Sequence, residues 1–79
     1  MDPDYWYKKG AAEHSSGSFE DAVESLRKAL EIDRQFIDAW HLLGESLRKA
    51  GRYQEAVESF ETALDIEPRH HQSWRGKAI

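Results

Sequence analysis

Cysteine and long hydrophobic runs are both absent from this chain of 79 residues. Without cysteine, the chain can form no disulfide, no thiolate metal site and no cysteine nucleophile. Its longest apolar stretches are two or three residues, whereas a membrane-spanning helix needs roughly 20. The N-terminus carries Asp2 and Asp4 in place of the basic and apolar segments of a secretory signal. We therefore expect a cytoplasmic protein with no membrane partner.

Basic residues are also in the minority, because 11 lysines and arginines face 15 acidic residues and the net charge is -4. A nucleic-acid-binding module would be expected to carry a basic face, so we expect no nucleic-acid partner. A chain of this length forms one domain at most and buries only roughly 60% of its unfolded surface. We therefore expect a thin stability margin.

What the chain does have is an internal repeat, marked by Trp6, Trp40 and Trp74 at intervals of 34 residues. Aligning residues 3–36 with residues 37–70 without a gap pairs eleven identities, which are Asp4/Asp38, Trp6/Trp40, Gly10/Gly44, Gly17/Gly51, Ala22/Ala56, Val23/Val57, Glu24/Glu58, Ser25/Ser59, Ala29/Ala63, Leu30/Leu64 and Ile32/Ile66. A constant period of this length is typical of repeat proteins, whose units stack on their neighbours to complete a core.

Each repeated unit is predicted to be a hairpin of two helices. Asp2 and Pro3 are suited to the cap and the first position of a helix that runs to about Ser15. Gly17 then ends this helix in a left-handed turn, and Ser18 is placed to cap the next helix. The apolar residues that follow fall at i, i+3, i+4 and i+7, which predicts an amphipathic second helix. The second unit repeats this pattern, and no segment favours a strand.

Residues 71–79 restart the repeat at Trp74. We predict one domain over residues 1–79, with repeat one at 3–36, repeat two at 37–70 and a C-terminal capping or truncated third-repeat helix at 71–79. This gives about five helices and an all-α fold. The first unit ends in Arg34 where the second has Pro68, so a helix fused across residues 32–37, with hairpins swapped between chains, is an alternative. The repeat register favours a turn.

Sequence motifs in the second unit connect the chain to a known family. The segments 40–47 (WHLLGESL) and 56–60 (AVESF), followed by Ala63 and Pro68, contain the patterns W-x-x-L-G and A-x-x-x-F and a closing proline. These features resemble the tetratricopeptide repeat, and the resemblance covers nearly the whole chain. It implies a right-handed superhelical solenoid of antiparallel helix hairpins, which would act as a scaffold or adaptor that binds proteins.

Two features test this resemblance physically. A glycine inside a helix costs roughly 1 kcal/mol relative to alanine, so Gly10 and Gly44 are expected where a bulky side chain of the partner helix approaches closely. The first unit has Lys9 and Glu13 at positions that correspond to two leucines of the second unit. We interpret this charged pair, spaced i and i+4, as a cap on a face that has no upstream neighbour.

The resemblance implies a concave wall built from the first helix of each unit, which would bind a peptide segment. The candidate groove residues lie on these helices and off their packing stripe, and they are Tyr7, Lys8, His14, His41, Leu42, Glu45, Arg48, Lys49 and Arg75. Leu42 is either the floor of a ligand pocket or an ordinary exposed leucine. The cations either attract an acidic peptide or offset the helix dipole in the last turn.

Catalytic and metal-binding patterns are missing. The chain has no glycine-rich phosphate loop, and none of its serines has the histidine and carboxylate partners that a catalytic triad requires. His70 and His71 lack further ligands at helical spacing, so we expect neither a metal nor a cofactor, and no enzyme activity.

A structural role is the alternative function. Stable stacks usually need about three repeats, so the chain could be a self-association module or an excerpt of a longer array. Such a module could form a stacked superhelix or a homodimer through its C-terminal helix.

Overall fold

The computed structural model describes residues 2–66 of the chain. It contains four helices in this part, which are α1 (Pro3–Ser15), α2 (Phe19–Ile32), α3 (Ile37–Lys49) and α4 (Tyr53–Ile66). Residues 2–66 contain no strand, so the predicted all-α fold is confirmed. The prediction of about five helices exceeds this count by one, and the predicted helix at 71–79 lies outside the described residues. The division into units 3–36, 37–70 and 71–79 stays a prediction.

The first helix begins where its capping residues predict. Asp2 occupies the cap position, and its Oδ1 accepts a hydrogen bond of 2.9 Å from the backbone N–H of Tyr5. Pro3 follows at the first helical turn, where its missing N–H leaves no hydrogen bond unmade. The Asp2 side chain and the Pro3 ring together fix the first turn of α1.

The two hairpin turns have matching geometry because each depends on a glycine. Gly17 and Gly51 have φ angles of 86° and 85°, a left-handed conformation that costs residues with a Cβ roughly 1–2 kcal/mol. The N–H of Ser18 and the N–H of Arg52 reach back to backbone oxygens of the preceding helix, at 2.8 Å each. Ser18 occupies the cap position of α2, as predicted, but its side chain makes no capping hydrogen bond.

A turn separates the two hairpins, so the fused-helix alternative does not describe this chain. Asp33 is extended, and its Oδ1 accepts a hydrogen bond of 3.0 Å from the backbone N–H of Gln35. The indole Nε1 of Trp40 donates to the backbone oxygen of Arg34 at 2.8 Å. Trp40 thereby anchors the turn to the first part of α3.

The core forms where small residues let the helices approach one another. Its buried members come from all but the first helix, and they are Val23, Leu26, Ala29, Leu30, Ala39, Leu43, Leu47 and Ala56. A Cβ on Gly10 would lie 2.8 Å from Cγ of Leu26, and a Cβ on Gly44 would lie 2.7 Å from Cε1 of Phe60. The prediction of a bulky side chain against each helical glycine is therefore confirmed.

The outer side of α1 carries the charged pair that the sequence suggests. Lys9 Nζ donates to Glu13 Oε2 at 2.7 Å, and the buried Ser25 donates to Glu13 Oε1 at the same distance. Burial alone would raise the pKa of the Glu13 carboxyl, but these two bonds lower the pKa below its ordinary value of 4.5. The pair thus also links α1 to α2.

No helix in the described part of the chain is long and apolar enough to cross a membrane.

We predict that Gly10→Ala destabilises the protein more than Gly44→Ala. Leu26 is fully buried and cannot move away, and the backbone oxygen of Ala22 would lie only 3.3 Å from the new Cβ. Overpacking of this kind costs about 1–3 kcal/mol, of which the better helix propensity of alanine offsets about 1 kcal/mol.

Gly44→Ala meets the ring of the half-buried Phe60, which can shift toward solvent. Its cost is therefore expected to be smaller. Urea unfolding of both variants measures the difference, and a larger loss of stability for Gly44→Ala would contradict this account.

We also predict a stability contribution from Glu13 that depends on pH. Because the pKa of Glu13 is lowered by folding, its ionised form stabilises the fold at pH values above 4.5, and this contribution is lost as the pH falls through the folded-state pKa. The stability difference between the wild type and Glu13→Gln should therefore shrink in acid. Ser25→Ala removes only one of the two bonds and should show part of this effect. An equal difference at neutral and acidic pH would rule out the assignment.

Candidate protein-binding surface

The first helices of the two units, α1 and α3, contact each other directly and both pack against α2. Most of the groove residues predicted from the sequence lie on these two helices. We call the surface formed by Tyr7, Lys8, Phe36, His41, Leu42, Glu45, Arg48 and Lys49 the inner face.

The centre of the inner face is apolar. The rings of Tyr7 and Phe36 lie 5.0 Å apart between their centroids and are tilted by 32°. Both rings and Leu42 are half-buried and pack against the core. Leu42 is therefore partly covered by its own chain and partly exposed on the inner face.

The surroundings of the Tyr7 phenol change its pKa. Burial raises the pKa of Tyr7 above its ordinary value of 10.0, and the negative charges of Asp38 and Asp4 raise it further. These two aspartates occupy equivalent positions in the two units. The phenol thus stays protonated near neutral pH and can donate a hydrogen bond on the inner face.

The predicted cations of the inner face mostly have acidic partners within the chain. Lys8 Nζ lies 3.2 Å from a carboxylate oxygen of Asp4, and an Arg48 guanidinium nitrogen lies 2.9 Å from Oε1 of Glu45. Lys49 is exposed at the end of α3. These pairs offset the local charge, so the inner face lacks the strong positive bias that would favour an acidic peptide.

His41 is half-buried where α3 meets α4. Its ring lies 5.5 Å from that of Phe60, and its Nε2 lies 3.9 Å from Oε2 of Glu45. The imidazole therefore contributes to packing between the helices as well as to the surface.

His14 joins the two units. Its Nδ1 lies 2.9 Å from Oγ of Ser46, a residue of α3 that is fully buried. The His14 ring also packs edge-on against Phe19, with 5.3 Å between the ring centroids. The structure thus places His14 in a contact between α1 and α3, separate from the apolar centre at Tyr7.

Two further expectations concern residues outside the described range. Arg75, the last predicted groove residue, lies beyond residue 66, as do His70 and His71. Within residues 2–66, no three side chains of the histidine, cysteine, aspartate or glutamate type lie close enough to hold a metal ion.

Sequence reasoning missed Phe36 because the repeat alignment pairs it with His70, which hides its role. It also missed a cleft of about 630 Å³ on the opposite side, between α2 and α4. The cleft is lined by Arg27, Leu30, Glu31, Arg34, Trp40, Leu43, Leu47, Glu55, Glu58, Ser59 and Thr62. Its leucines are almost fully buried, so the accessible part of the cleft is its rim of charged side chains.

Arg52 connects the two hairpins beside this cleft. It donates to Oε1 of Glu20 at 2.7 Å and to Oε1 of Glu55 at 2.6 Å. Arg27 lies 3.8 Å from Glu55 as well. The hydrogen bonds from Arg52 are the main cause of a lowered pKa for the Glu55 carboxyl. These contacts hold the turn before α4 against the beginning of α2.

Comparison with known proteins agrees with this geometry. The protein-family model described as "Tetratricopeptide repeat" matches residues 37–70 of this chain. A second family model, described as "TPR repeat", matches residues 10–49. No curated protein sequence matches the chain.

Two of the solved structures that are similar to this chain are both described as MamA. The first is described as the crystal structure of MamA, with a TM-score of 0.90, 22% sequence identity, and coverage of 94% of this chain and 43% of that one. The second, also described as a MamA protein, has a TM-score of 0.78, 33% identity, and coverage of 85% of this chain and 37% of that one. The first likeness concerns the fold alone. The chain spans less than half the length of either structure.

We predict that His14 and Ser46 stabilise the fold through each other. Each of the single variants His14→Ala and Ser46→Ala should lower the free energy of unfolding, and a double-mutant cycle should give a coupling of about 0.5–1.5 kcal/mol. Lys8→Ala combined with Ser46→Ala serves as the control, because Lys8 is exposed and pairs with Asp4 within α1. Additive effects of His14→Ala and Ser46→Ala would show that their hydrogen bond does not contribute to stability.

Proposed function

This chain belongs to the tetratricopeptide repeat family, whose repeats are generally protein–protein interaction modules, and on that premise we propose that it binds a peptide segment of a partner protein along its inner face. It would act there as a non-catalytic scaffold or adaptor, and its location would be cytoplasmic. The residues proposed to contact the peptide are Tyr7, Lys8, His41, Leu42, Glu45, Arg48, Lys49 and Arg75.

The observation that supports this proposal is the half-exposed apolar centre at Tyr7, Phe36 and Leu42. These side chains rest on a packed core, so little of their conformational freedom remains to be lost when a ligand binds. Aromatic side chains with a polar group are also enriched at protein interfaces. A partner would therefore place an apolar side chain against this centre.

The charges around this centre refine the proposed ligand. Because Asp4 pairs with Lys8 and Glu45 pairs with Arg48, an acidic peptide would have to break these pairs to gain new ones. A ligand with an apolar side chain and uncharged hydrogen-bonding groups would keep them. His14 is bound to Ser46, so we assign it an indirect role: it would position α1 relative to α3 beneath the ligand.

This proposal can be tested with peptides that are selected from a random display library for binding to the full chain. We expect the substitution Leu42→Glu to abolish binding of the selected peptides, because it introduces a charge beside the apolar centre. Arg48→Glu should weaken binding, since it removes the partner of Glu45 and leaves two unpaired carboxylates at the edge of the groove, which the ligand would have to desolvate. Far-ultraviolet circular dichroism should show unchanged helicity in both variants.

Glu24→Lys changes an exposed residue of α2 and serves as the matched control, for which wild-type binding is expected. If Leu42→Glu and Arg48→Glu both bind the peptides as well as the wild type does, the inner face is not the binding surface.

A further inference from the structure

The two units differ in what covers their second helices. Val23 of α2 is 2% exposed, whereas its counterpart Val57 of α4 is 54% exposed. Tyr53, one turn earlier on the same side of α4, is 65% exposed. Phe60 and Leu64 continue this side and are half-buried. We call these four residues the α4 face.

The packing of α3 on α2 shows what kind of helix can cover the corresponding side of α4. On α2, the counterparts Val23, Leu26 and Leu30 are buried in one cluster with residues of α3. Helix α3 contributes a small residue and two leucines at intervals of four, namely Ala39, Leu43 and Leu47. An amphipathic helix with this pattern therefore matches the shape that the repeat presents.

The charge of α4 narrows the choice of partner. Among the four helices, α4 alone contains acidic residues and no lysine or arginine. Glu55 and Glu58 line the cleft toward α2, whereas Glu61 and Asp65 are exposed. Arg27 and Lys28 of α2 correspond to Glu61 and Thr62 of α4. A second copy docked through its own α4 would bring these acids together, which is unfavourable, whereas a basic helix would complement them.

We propose that the α4 face is a second docking surface, distinct from the inner face, and that it binds a basic amphipathic helix of a partner protein that supplies the apolar pattern of α3. The chain's own residues 71–79 match this pattern less well, because Ser73 and Lys77 occupy the positions that correspond to Ala39 and Leu43. The partner's leucines would cover Val57 and Tyr53, and its basic residues would lie beside Glu61.

The experiment uses the full chain and a labelled synthetic peptide of residues 34–50, which reproduces α3. We expect fluorescence anisotropy to detect binding of this peptide. Substituting Glu45→Lys in the peptide raises its net charge from +1 to +3 and should tighten binding at low salt. Replacing Leu43 and Leu47 of the peptide with lysine should abolish binding.

Variants of the chain locate the peptide. Val57→Glu should weaken binding by about tenfold, the scale set by losing one buried valine contact, and Glu61→Lys should weaken binding of the basic peptide. Ile32→Glu is the matched control, because Ile32 is similarly exposed at 49% but lies outside the α4 face. Leu42→Glu should leave peptide binding unchanged, which separates this test from that of the inner face.

Three outcomes would overturn the proposal. Equal binding to Val57→Glu and to the wild type would place the peptide elsewhere. Tighter binding after Trp74→Ala would mean that the chain's own residues 67–79 occupy the face. A wild-type chain that sediments as a dimer, together with a monomeric Val57→Glu variant, would assign the face to a second copy.

Discussion

The close approach of the two helices within each hairpin is the constraint on which the rest of this structure depends. In the first hairpin, Gly10 leaves room for Leu26, and in the second hairpin, Gly44 leaves room for the ring of Phe60. A methyl group at either glycine would fall within 3.0 Å of that neighbour, which packed side chains do not tolerate. Because each hairpin closes in the same way, the second unit presents α3 to the first at a defined angle, and the leucines of α3 meet the valine and leucines of α2. The buried cluster between the units follows from the packing inside each of them.

Polar contacts then determine the register between the units, while apolar burial supplies most of the free energy. Arg52 reaches back to Glu20 on one side of the stack, and His14 reaches forward to Ser46 on the other. Ion pairs at the surface contribute about 0–1 kcal/mol each, less than the burial of a single leucine, at about 1.5–3 kcal/mol. Their value is geometric, because they join residues of different units and would be lost if one unit slid along the other.

The same repeat produces two unlike surfaces because its ends are not equivalent. On the inner face, side chains of both units meet around Tyr7, and the charges there are paired within the chain. On the α4 face, Val57 is exposed whereas its counterpart Val23 is buried, and Glu61 stands in place of Arg27 of α2. One surface is thus made by stacking two units, and the other lies on the second helix of the second unit alone. This asymmetry explains how a chain of two similar units could contact two different partners.

The sequence by itself determined the elements of this protein: the period of 34 residues, the left-handed turns at Gly17 and Gly51, the cap at Asp2, and the need for a close neighbour at each helical glycine. These features depend on residues within one helix or one hairpin, where propensity and spacing act locally. A local rule also failed, since Ser18 has the residue type of a cap but makes no such bond. Only the tertiary structure decided that His14 bonds to Ser46, that Phe36 packs on Tyr7, and that Arg52 bonds to Glu20. The bonds of His14 and Arg52 join different units. Their partners are determined by the angle at which the hairpins stack, a property that no single stretch of sequence encodes.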